Sequence, residues 1–517
     1  MRTLAGFARS GSAVVVCLAV GLCACLGLAG CVIYLNPLCT DQIRNGDETG
    51  VDCGGGCGRC NVGEGCRVAN DCDGGNCQGG VCKPPPCEDG MKSEAETDVD
   101  CGGGTCRKCA GGRTCLVDDD CFSGTCTPGA HTCSSLTSVS FANEDRYPSG
   151  FKAYAMFPGD LDGDGDIDLA VANEYGSSVS VFLNDYSTGG AFRHLDNPAG
   201  RPPDEPSMAN FGPTGAYPTG GAVVDLDGDG HPDVVTADYH GNSVTVLLNG
   251  GSGLLNKAAV ASYRTASGAE TSNLAVGDLT GDGRPDVVAT NPQAHSISVF
   301  LNQGGGVLSS ASDVPVGVAG GSQPYSVAIA DFNGDGKNDL AVAEETSGVI
   351  IVRLGNGDGT FQTEVPYGIN GTRDYIIIAA DVNKDGIVDL VSANRGSDDV
   401  SVLLGRGDGT FRKAIVTSVL PGMGPYSIAV TDINVDGVPD LVTANFMTDS
   451  VTILLGIGDG HFQAAMTTTF MKPIGTQLPD TTPYGIVSGD FNHDGKPDIA
   501  TANAGSYDVT VKLNTSH

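Results

Sequence analysis

A nine-residue acidic motif, D-x-[DNT]-x-D-G-x-x-D, recurs seven times in this chain and constrains its fold more than any other feature. Successive copies begin 50–65 residues apart, at Asp160, Asp225, Asp278, Asp331, Asp381, Asp432 and Asp490. A period of this length is typical of repeat architectures, in which every unit is one supersecondary structure. The motif therefore predicts seven copies of one structural unit.

Each unit has the pattern of four short β-strands. In residues 325–361, apolar and small residues alternate or form short runs, and turn residues stand at every break. Such units could form a sandwich array, a solenoid or a propeller, and rings of four-stranded blades usually close at four to eight. We therefore predict an all-β chain in which residues 134–517 form a seven-bladed β-propeller with four-stranded antiparallel blades.

The two ends of the repeat region predict how the ring closes. The last unit stops after three strands, within "YDVTVKLNTSH" at residues 507–517, and lacks an outer strand. An extra segment, residues 136–147, precedes the first unit at the place of an outer strand. We expect this segment to pair with residues 509–513, because that pairing removes a bare strand edge.

The oxygen donors of the motif have the spacing of a calcium loop. Calcium takes six to eight oxygen ligands, and alternate loop residues supply them. Positions 1, 3, 5 and 9 offer side-chain oxygens, position 7 offers its backbone carbonyl, and glycine at position 6 permits the sharp turn. The predicted ligand residues, loop by loop, are Asp160, Asp162, Asp164, Asp166, Asp168; Asp225, Asp227, Asp229, His231, Asp233; Asp278, Thr280, Asp282, Arg284, Asp286; Asp331, Asn333, Asp335, Lys337, Asp339; Asp381, Asn383, Asp385, Ile387, Asp389; Asp432, Asn434, Asp436, Val438, Asp440; and Asp490, Asn492, Asp494, Lys496, Asp498.

Two other interpretations of the acidic motif are weaker. A solvated acidic loop needs no fixed spacing, and an EF-hand needs flanking helices and a glutamate at position 12. Position 12 is never glutamate here, and the flanking segments have strand patterns. We predict up to seven structural Ca²⁺ sites, of which the loop with Thr280 at position 3 is the weakest.

The repeats resemble FG-GAP or VCBS repeats, which build the seven-bladed propeller of integrin α subunits. The resemblance covers residues 136–517 and rests on the repeated acidic loop. It implies that the loops are similar to the calcium-binding hairpin loops of integrin-type blades.

Recognition is expected on the face opposite these loops. In an up-and-down blade, successive connections alternate between the two faces, so the loops that join strands 2 and 3 lie together with the crossings between blades. Exposed aromatic and amide-rich loops are suited to a protein or glycan ligand. The candidate ligand-binding residues are Tyr175, Tyr239, His240, His295, Arg395 and Phe446, and the insertion at residues 185–219 is a second candidate.

The amino terminus has the features of an export signal. Residues 11–30 are nearly all small and apolar and end at "LAGC", which resembles the lipobox of bacterial lipoproteins. The resemblance implies a signal peptide at residues 1–30, lipid on Cys31 and a tether at residues 31–38. An uncleaved membrane anchor is the alternative, since about 20 apolar residues can span a bilayer. We expect a bacterial cell-envelope protein held by its lipid at the outer membrane or cell surface.

Sixteen cysteines form two repeated modules, residues 39–82 and 87–133, separated by the stiff linker "KPPP" at residues 83–86. Modules this small need cross-links, and we expect disulfides rather than zinc because the compartment is oxidising. Eight cysteines allow 105 pairings, and the sequence does not choose among them. The predicted disulfide cysteines are Cys39, Cys53, Cys57, Cys60, Cys66, Cys72, Cys77, Cys82, Cys87, Cys101, Cys106, Cys109, Cys115, Cys121, Cys126 and Cys133.

Charge and motif content narrow the function. The chain has 62 acidic and 28 basic residues, and this net charge of −34 argues against nucleic acid, whose phosphates require Lys and Arg. The sequence has no nucleophile motif and no cofactor fingerprint. We therefore predict a non-catalytic, calcium-stabilised adhesion propeller for protein or glycan partners. The alternative is a carbohydrate-active enzyme, lyase or hydrolase-like, or a lectin on the same scaffold.

Overall fold

The computed structural model is built almost entirely of β-strands. It describes residues 77–78, 81–82, 115–117, 126–127, 131–133, 139–185, 191–194, 216–253, 255–266, 268–317, 323–369, 374–420, 423–463, 466–469 and 481–516. One 3₁₀ turn, Pro292–Ala294, is present in these ranges. No helix within them has the length and apolar character needed to cross a membrane. The chain divides into two compact units, Met1–Met91 and Lys92–His517.

Each cysteine-rich segment contains a small hairpin. The strands are β1 (Cys77–Gln78) and β2 (Val81–Cys82) in the first unit, and β3 (Cys126–Thr127) and β4 (Thr132–Cys133) in the second. Cysteines face each other in both hairpins. A disulfide joins Cys115 to Cys126. The predicted signal peptide, Cys31, the linker at residues 83–86 and most of both modules lie outside the described residues.

Blades 1 to 3 are each a four-stranded antiparallel sheet in chain order. Blade 1 contains β6 (Ala153–Gly159), β7 (Asp168–Asn173), β8 (Ser178–Asp185) and β9 (Ala191–His194). Blade 2 contains β10 (Pro218–Val224), β11 (Asp233–Asp238), β12 (Ser243–Asn249) and β13 (Leu255–Arg264). Blade 3 contains β14 (Leu274–Gly277), β15 (Asp286–Asn291), β16 (Ser296–Phe300) and β17 (Ser312–Pro315).

Blades 4 to 6 repeat this order. Blade 4 contains β18 (Pro324–Ala330), β19 (Asp339–Glu344), β20 (Val349–Arg353) and β21 (Val365–Gly368). Blade 5 contains β22 (Asp374–Ala380), β23 (Asp389–Asn394), β24 (Asp399–Leu403) and β25 (Ile415–Ser418). Blade 6 contains β26 (Pro425–Thr431), β27 (Asp440–Asn445), β28 (Ser450–Leu454) and β29 (Met466–Thr469).

Blade 7 joins the two ends of the propeller and thereby closes the ring. Its strands are β30 (Pro483–Gly489), β31 (Asp498–Asn503), β32 (Asp508–Lys512) and, as the outer strand, β5 (Asp145–Pro148). Val509 pairs with Tyr147 and Val511 with Asp145. The predicted closure is confirmed, and so is the seven-bladed, four-stranded antiparallel fold.

The second strand of every blade is the most deeply buried element. Each has six residues, all buried, begins at the ninth position of the acidic motif and consists mainly of Val, Ala, Leu and Ile. The outer strands β17, β21 and β25 contain only exposed and half-buried residues. A second strand is covered by a neighbouring blade on each face, whereas an outer strand lies at the edge of its sheet. The difference in burial between the two is therefore expected.

The hydrophobic core is divided into seven clusters, each between two neighbouring blades. Every acidic loop contributes the residue at its second position to one of them. These anchors, all at most 2% exposed, are Leu161, Leu226, Leu279, Phe332, Val382, Ile433 and Phe491. The acidic loops are therefore built into the interfaces between blades.

Candidate functional site

The acidic loops are the hairpin connections between the first and second strands of the blades. The glycine at position 6 has φ between 79° and 92° in all seven, a backbone conformation in which a Cβ is strained. Its N–H donates to the carboxylate at position 1 over 2.7–3.0 Å in every loop. The sharp turn predicted at this glycine is confirmed.

The aspartate at position 9 has a structural task that the sequence did not indicate. In all seven loops it is fully buried, and its Oδ2 accepts the N–H of position 2 over 2.7–3.1 Å. Its Oδ1 accepts the N–H sixteen residues further along, over 2.6–2.8 Å. Burial raises the pKa of Asp168 to about 7 and that of Asp440 to about 8. The motif thus ties its loop to the end of the third strand.

Two loops bring three carboxylates together. Oxygens of Asp160, Asp162 and Asp168 lie within 4.8 Å of one another, as do those of the first three aspartates of the second loop, Asp225, Asp227 and Asp229. Oδ1 of Asp162 is buried and has no hydrogen-bond partner among the described residues. Clustered carboxylate oxygens with free lone pairs suit a hard divalent cation. The residues of these two loops can therefore hold a metal ion.

Four of the loops also contact the following blade through the carbonyl of their second residue. Asn184 donates from Nδ2 to the carbonyl oxygen of Phe491 over 2.8 Å, across the junction of blades 1 and 7. Three other asparagines at the end of a third strand make the same bond over 2.7–2.8 Å: Asn249, Asn302 and Asn514. His493 of the seventh loop lies 2.9 Å from Asp166 of the first. These bonds therefore connect neighbouring blades at four of the seven junctions.

The opposite face has a tyrosine cluster on the propeller axis. The hydroxyls of Tyr154, Tyr325 and Tyr426 bond to one another, over 3.0 Å from Tyr154 to Tyr325 and 2.8 Å from Tyr325 to Tyr426. Each is the second residue of a first strand, in blades 1, 4 and 6, and residues from such distant blades can meet only at the axis. Burial raises the pKa of Tyr154 and of Tyr426. The three phenols therefore form one hydrogen-bonded cluster shared by blades 1, 4 and 6.

Five of the six predicted ligand-binding residues make ring–ring or cation–ring contacts that lead to this tyrosine cluster. They are Tyr175, Tyr239, His240, Arg395 and Phe446. The Tyr175 centroid lies 5.9 Å from that of Tyr217, which lies 4.7 Å from that of His240. The ring of His240 in turn lies 5.0 Å from that of Tyr239. These contacts run along blades 1 and 2.

The other side of the axis carries a cation over two rings. The guanidinium of Arg395 lies 4.6 Å from the centroid of Phe446 and 5.8 Å from that of Tyr426. Phe446 packs edge-on against Tyr484 at 4.9 Å. The sixth predicted residue, His295, is exposed and follows the 3₁₀ turn with φ 51°.

Sequence reasoning missed the residues that join these contacts. Lys152 lies 4.1 Å above the Tyr175 ring and 5.5 Å from that of Tyr154, and Tyr154 stacks on Tyr484 at 4.7 Å. A signal was available, because a Pro-Tyr pair opens three first strands, at residues 324–325, 425–426 and 483–484. Most of the insertion at residues 185–219 lies outside the described residues.

Seven four-stranded blades, each with an acidic hairpin loop, define the chain as a β-propeller built from acidic-loop repeats. The chain belongs to the FG-GAP-like repeat family, whose model matches residues 160–236, 225–289, 278–342, 331–392, 381–443 and 436–501. Each matched segment runs from one acidic loop to the strand after the next loop. Six matches therefore span seven loops. A search of curated proteins gives no match to this sequence.

Solved structures similar to this chain include an enzyme, a lectin and a protein in a complex. Virginiamycin B lyase from Staphylococcus aureus is 11% identical, with a TM-score of 0.47, over 72% of this chain and 99% of that one. An Agrocybe aegerita lectin that recognises non-reducing terminal N-acetylglucosamine is 21% identical, with a TM-score of 0.42, over 72% and 87%. BBS1N in complex with ARL6DN is 12% identical, with a TM-score of 0.48, over 73% and 97%. An enzyme and a lectin both occur in this set, so it assigns no activity to the chain.

Proposed function

We propose that this protein is a non-catalytic, calcium-stabilised surface propeller that binds a protein or glycan ligand. The observation that carries the proposal is the connected set of aromatic rings on the face opposite the acidic loops. Tyrosine and arginine are enriched among the residues that contribute most to binding energy. On this face Tyr175 is 53% exposed, which leaves its ring accessible to a ligand.

Calcium acts in this proposal as a structural ion. The side-chain oxygens at positions 1, 3, 5 and 9 and the carbonyl at position 7 would hold it, and its charge would offset the repulsion between the carboxylates. Because each loop anchors a core cluster and four of the loops bond to the next blade, an ion that binds the folded loops would stabilise the ring. Extracellular calcium modules bind at about 10⁻⁴–10⁻³ M.

The proposal places the propeller outside the cytoplasm of a bacterium, at the outer membrane or cell surface. Lipid on Cys31 would anchor the chain, and the modules at residues 39–82 and 87–133 would act as a disulfide-linked stalk. The disulfide between Cys115 and Cys126 supports this proposal, because such bonds persist mainly in oxidising compartments.

The test separates binding from catalysis. The full-length protein with saturating calcium is applied to arrays of glycans and of envelope proteins, and bound glycans are analysed for chain cleavage. Saturable binding with intact ligands supports the proposal. Cleavage of any polysaccharide would instead assign the chain to the carbohydrate-active enzymes.

A further inference from the structure

Three exposed aromatic rings form a row on the ligand face, across the junction of blades 7 and 1. The centroid of Phe151 lies 4.6 Å from that of Tyr507 and 6.0 Å from that of Tyr175, and the ring planes are inclined by 36° in both pairs. The exposed fractions are 49% for Phe151, 53% for Tyr175 and 38% for Tyr507. We call these three residues the aromatic arc.

Tyr507 occupies a backbone position that disfavours a bulky side chain. Its φ is 57°, in the left-handed region. The same turn between strands 2 and 3 has Ser177, Asn242, Asp398 and Asp449 in four other blades, with φ between 46° and 55°. Asn and Asp tolerate this conformation, whereas a bulky residue there is an outlier. An exposed ring that the core does not require, held in a strained backbone, indicates a role in contacting a ligand.

Neighbouring side chains hold the Tyr175 ring of the arc in place. Lys152 Nζ lies 4.1 Å from the Tyr175 centroid and forms an ion pair with Glu174. Tyr217 packs edge-on against Tyr175 at 5.9 Å with an interplanar angle of 74°. A ligand that binds on Tyr175 therefore finds this ring already ordered, and the entropic cost of binding there is reduced.

The size of the arc favours a small ligand over a protein. An aromatic side chain offers roughly 200 Å², so the exposed fractions leave about 300 Å² in the arc. A stable protein–protein interface buries about 800 Å² per partner. The arc covers less than half of that area, which matches a few sugar rings.

The charge of the chain argues against an anionic ligand. The chain has a net charge of −34, which repels polyanions. The ammonium of Lys152, the cation beside the arc, is neutralised by its ion pair with Glu174. A pyranose ring presents a C–H face that packs on an aromatic ring, and its hydroxyls remain at the edge for hydrogen bonds. We propose that the aromatic arc binds a neutral oligosaccharide chain, an inference that rests on the proposed ligand-binding function.

The experiment titrates the full-length protein, with saturating calcium, against neutral hexasaccharides (cello-, chito-, manno- and xylohexaose), hyaluronan and poly-lysine. Four variants are compared with the unaltered protein: Phe151→Ala and Tyr175→Ala within the arc, Tyr175→Phe as the ring-retaining variant, and Met447→Ala as the control. Met447 is 63% exposed and belongs to the strand 2–3 loop of blade 6, outside the arc. Melting temperature is measured for every variant.

We expect at least one neutral hexasaccharide to bind, and each alanine variant of the arc to weaken it about tenfold or more, equivalent to about 1.4 kcal/mol. Met447→Ala should bind as the unaltered protein does, and Tyr175→Phe should weaken binding less than Tyr175→Ala because it keeps the aromatic ring. A further variant, Tyr507→Asn, should melt no lower than the unaltered protein, since asparagine suits this backbone, and yet bind more weakly.

The outcomes distinguish the arc from the proposed function. If both alanine variants still bind the neutral sugar as the unaltered protein does, the arc is not the binding site, although the proposed binding function is retained. Binding of hyaluronan or poly-lysine without any neutral sugar also overturns the proposal for the arc. Cleavage of a hexasaccharide refutes the non-catalytic function. The arc remains the sugar-binding site in that case if the alanine variants weaken binding.

Discussion

The buried carboxylate of Asp238 gives the clearest quantitative prediction. It ends the second strand of blade 2, where five other blades have asparagine, and its side chain accepts hydroxyl hydrogen bonds from Thr236, Ser243 and Thr245. Burial raises its pKa from 3.8 to about 6. Each pKa unit corresponds to about 1.36 kcal/mol, so the ionised carboxylate lowers the free energy of unfolding at pH 7 by about 3 kcal/mol.

The pH dependence of this destabilisation follows from the state, folded or unfolded, that binds the Asp238 proton more tightly. The folded protein holds the Asp238 proton more strongly than the unfolded chain, because the pKa is higher in the folded state. The destabilisation is therefore complete above pH 6 and disappears as the pH falls through 6 toward 3.8. Substituting Asp238→Asn should raise the free energy of unfolding by about 3 kcal/mol at pH 7 and by about half of that at pH 5.

Blade 6 supplies the matched control. There Asn445 accepts from Thr443 over 3.0 Å and donates to Ser450 and Thr452 over 3.0 and 2.8 Å, in the arrangement that surrounds Asp238. Asn445→Asp should therefore destabilise the protein at pH 7 by a similar amount and much less at low pH.

The measurement is calorimetric melting of each variant beside the unaltered protein, with saturating calcium, from pH 4.5 to 7.5. Titration of the acidic loops is common to all the proteins and cancels in the differences. A difference for Asp238→Asn that does not change with pH, or a loss of stability at pH 7, would refute the reasoning.

Four further predictions test other parts of the structure. Removal of calcium with EGTA should lower the melting temperature markedly, and an unchanged calorimetric curve would contradict a structural ion. Asn184→Ala leaves the carbonyl of Phe491 unpaired and should reduce the free energy of unfolding by about 1–3 kcal/mol in urea titrations; no change would mean that this bond between blades 1 and 7 does not stabilise the fold. Peptide mapping should find Cys66 joined to Cys77, because these are the fifth and seventh cysteines of module 1, as the bonded pair is in module 2. Tyr325→Phe removes one axial hydroxyl and should cost about 1 kcal/mol of stability; an unaltered melting temperature would mean that the hydroxyl network contributes nothing.

Much of the acidic-loop geometry was predictable because it is local. The turn at Gly336 and the inward spacing of the loop oxygens depend on nine consecutive residues, so the motif specifies them. The second role of Asp339 was not predictable, because its Oδ1 accepts the N–H of Gly355, sixteen residues away. The two groups are brought together only by the register in which β19 pairs with β20.

The ligand face was predictable in position and not in detail. Alternation of loops between the faces of a blade placed Tyr175 and Phe446 on the same side. Their connection through Lys152 and Tyr484 depends on side chains that lean across blade boundaries, which no repeat pattern describes.

The sequence alone determined the number of blades, the closing strand and the acidic loops, since period, strand pattern and donor spacing are properties of neighbouring residues. Only the tertiary structure decided which residues meet at the axis and across the junction of blades 7 and 1. Tyr507 and Phe151 come from opposite ends of the propeller sequence, and closure of the ring through β5 is what places their rings 4.6 Å apart. Ring closure is a long-range event, so the surface that it creates is absent from any single repeat.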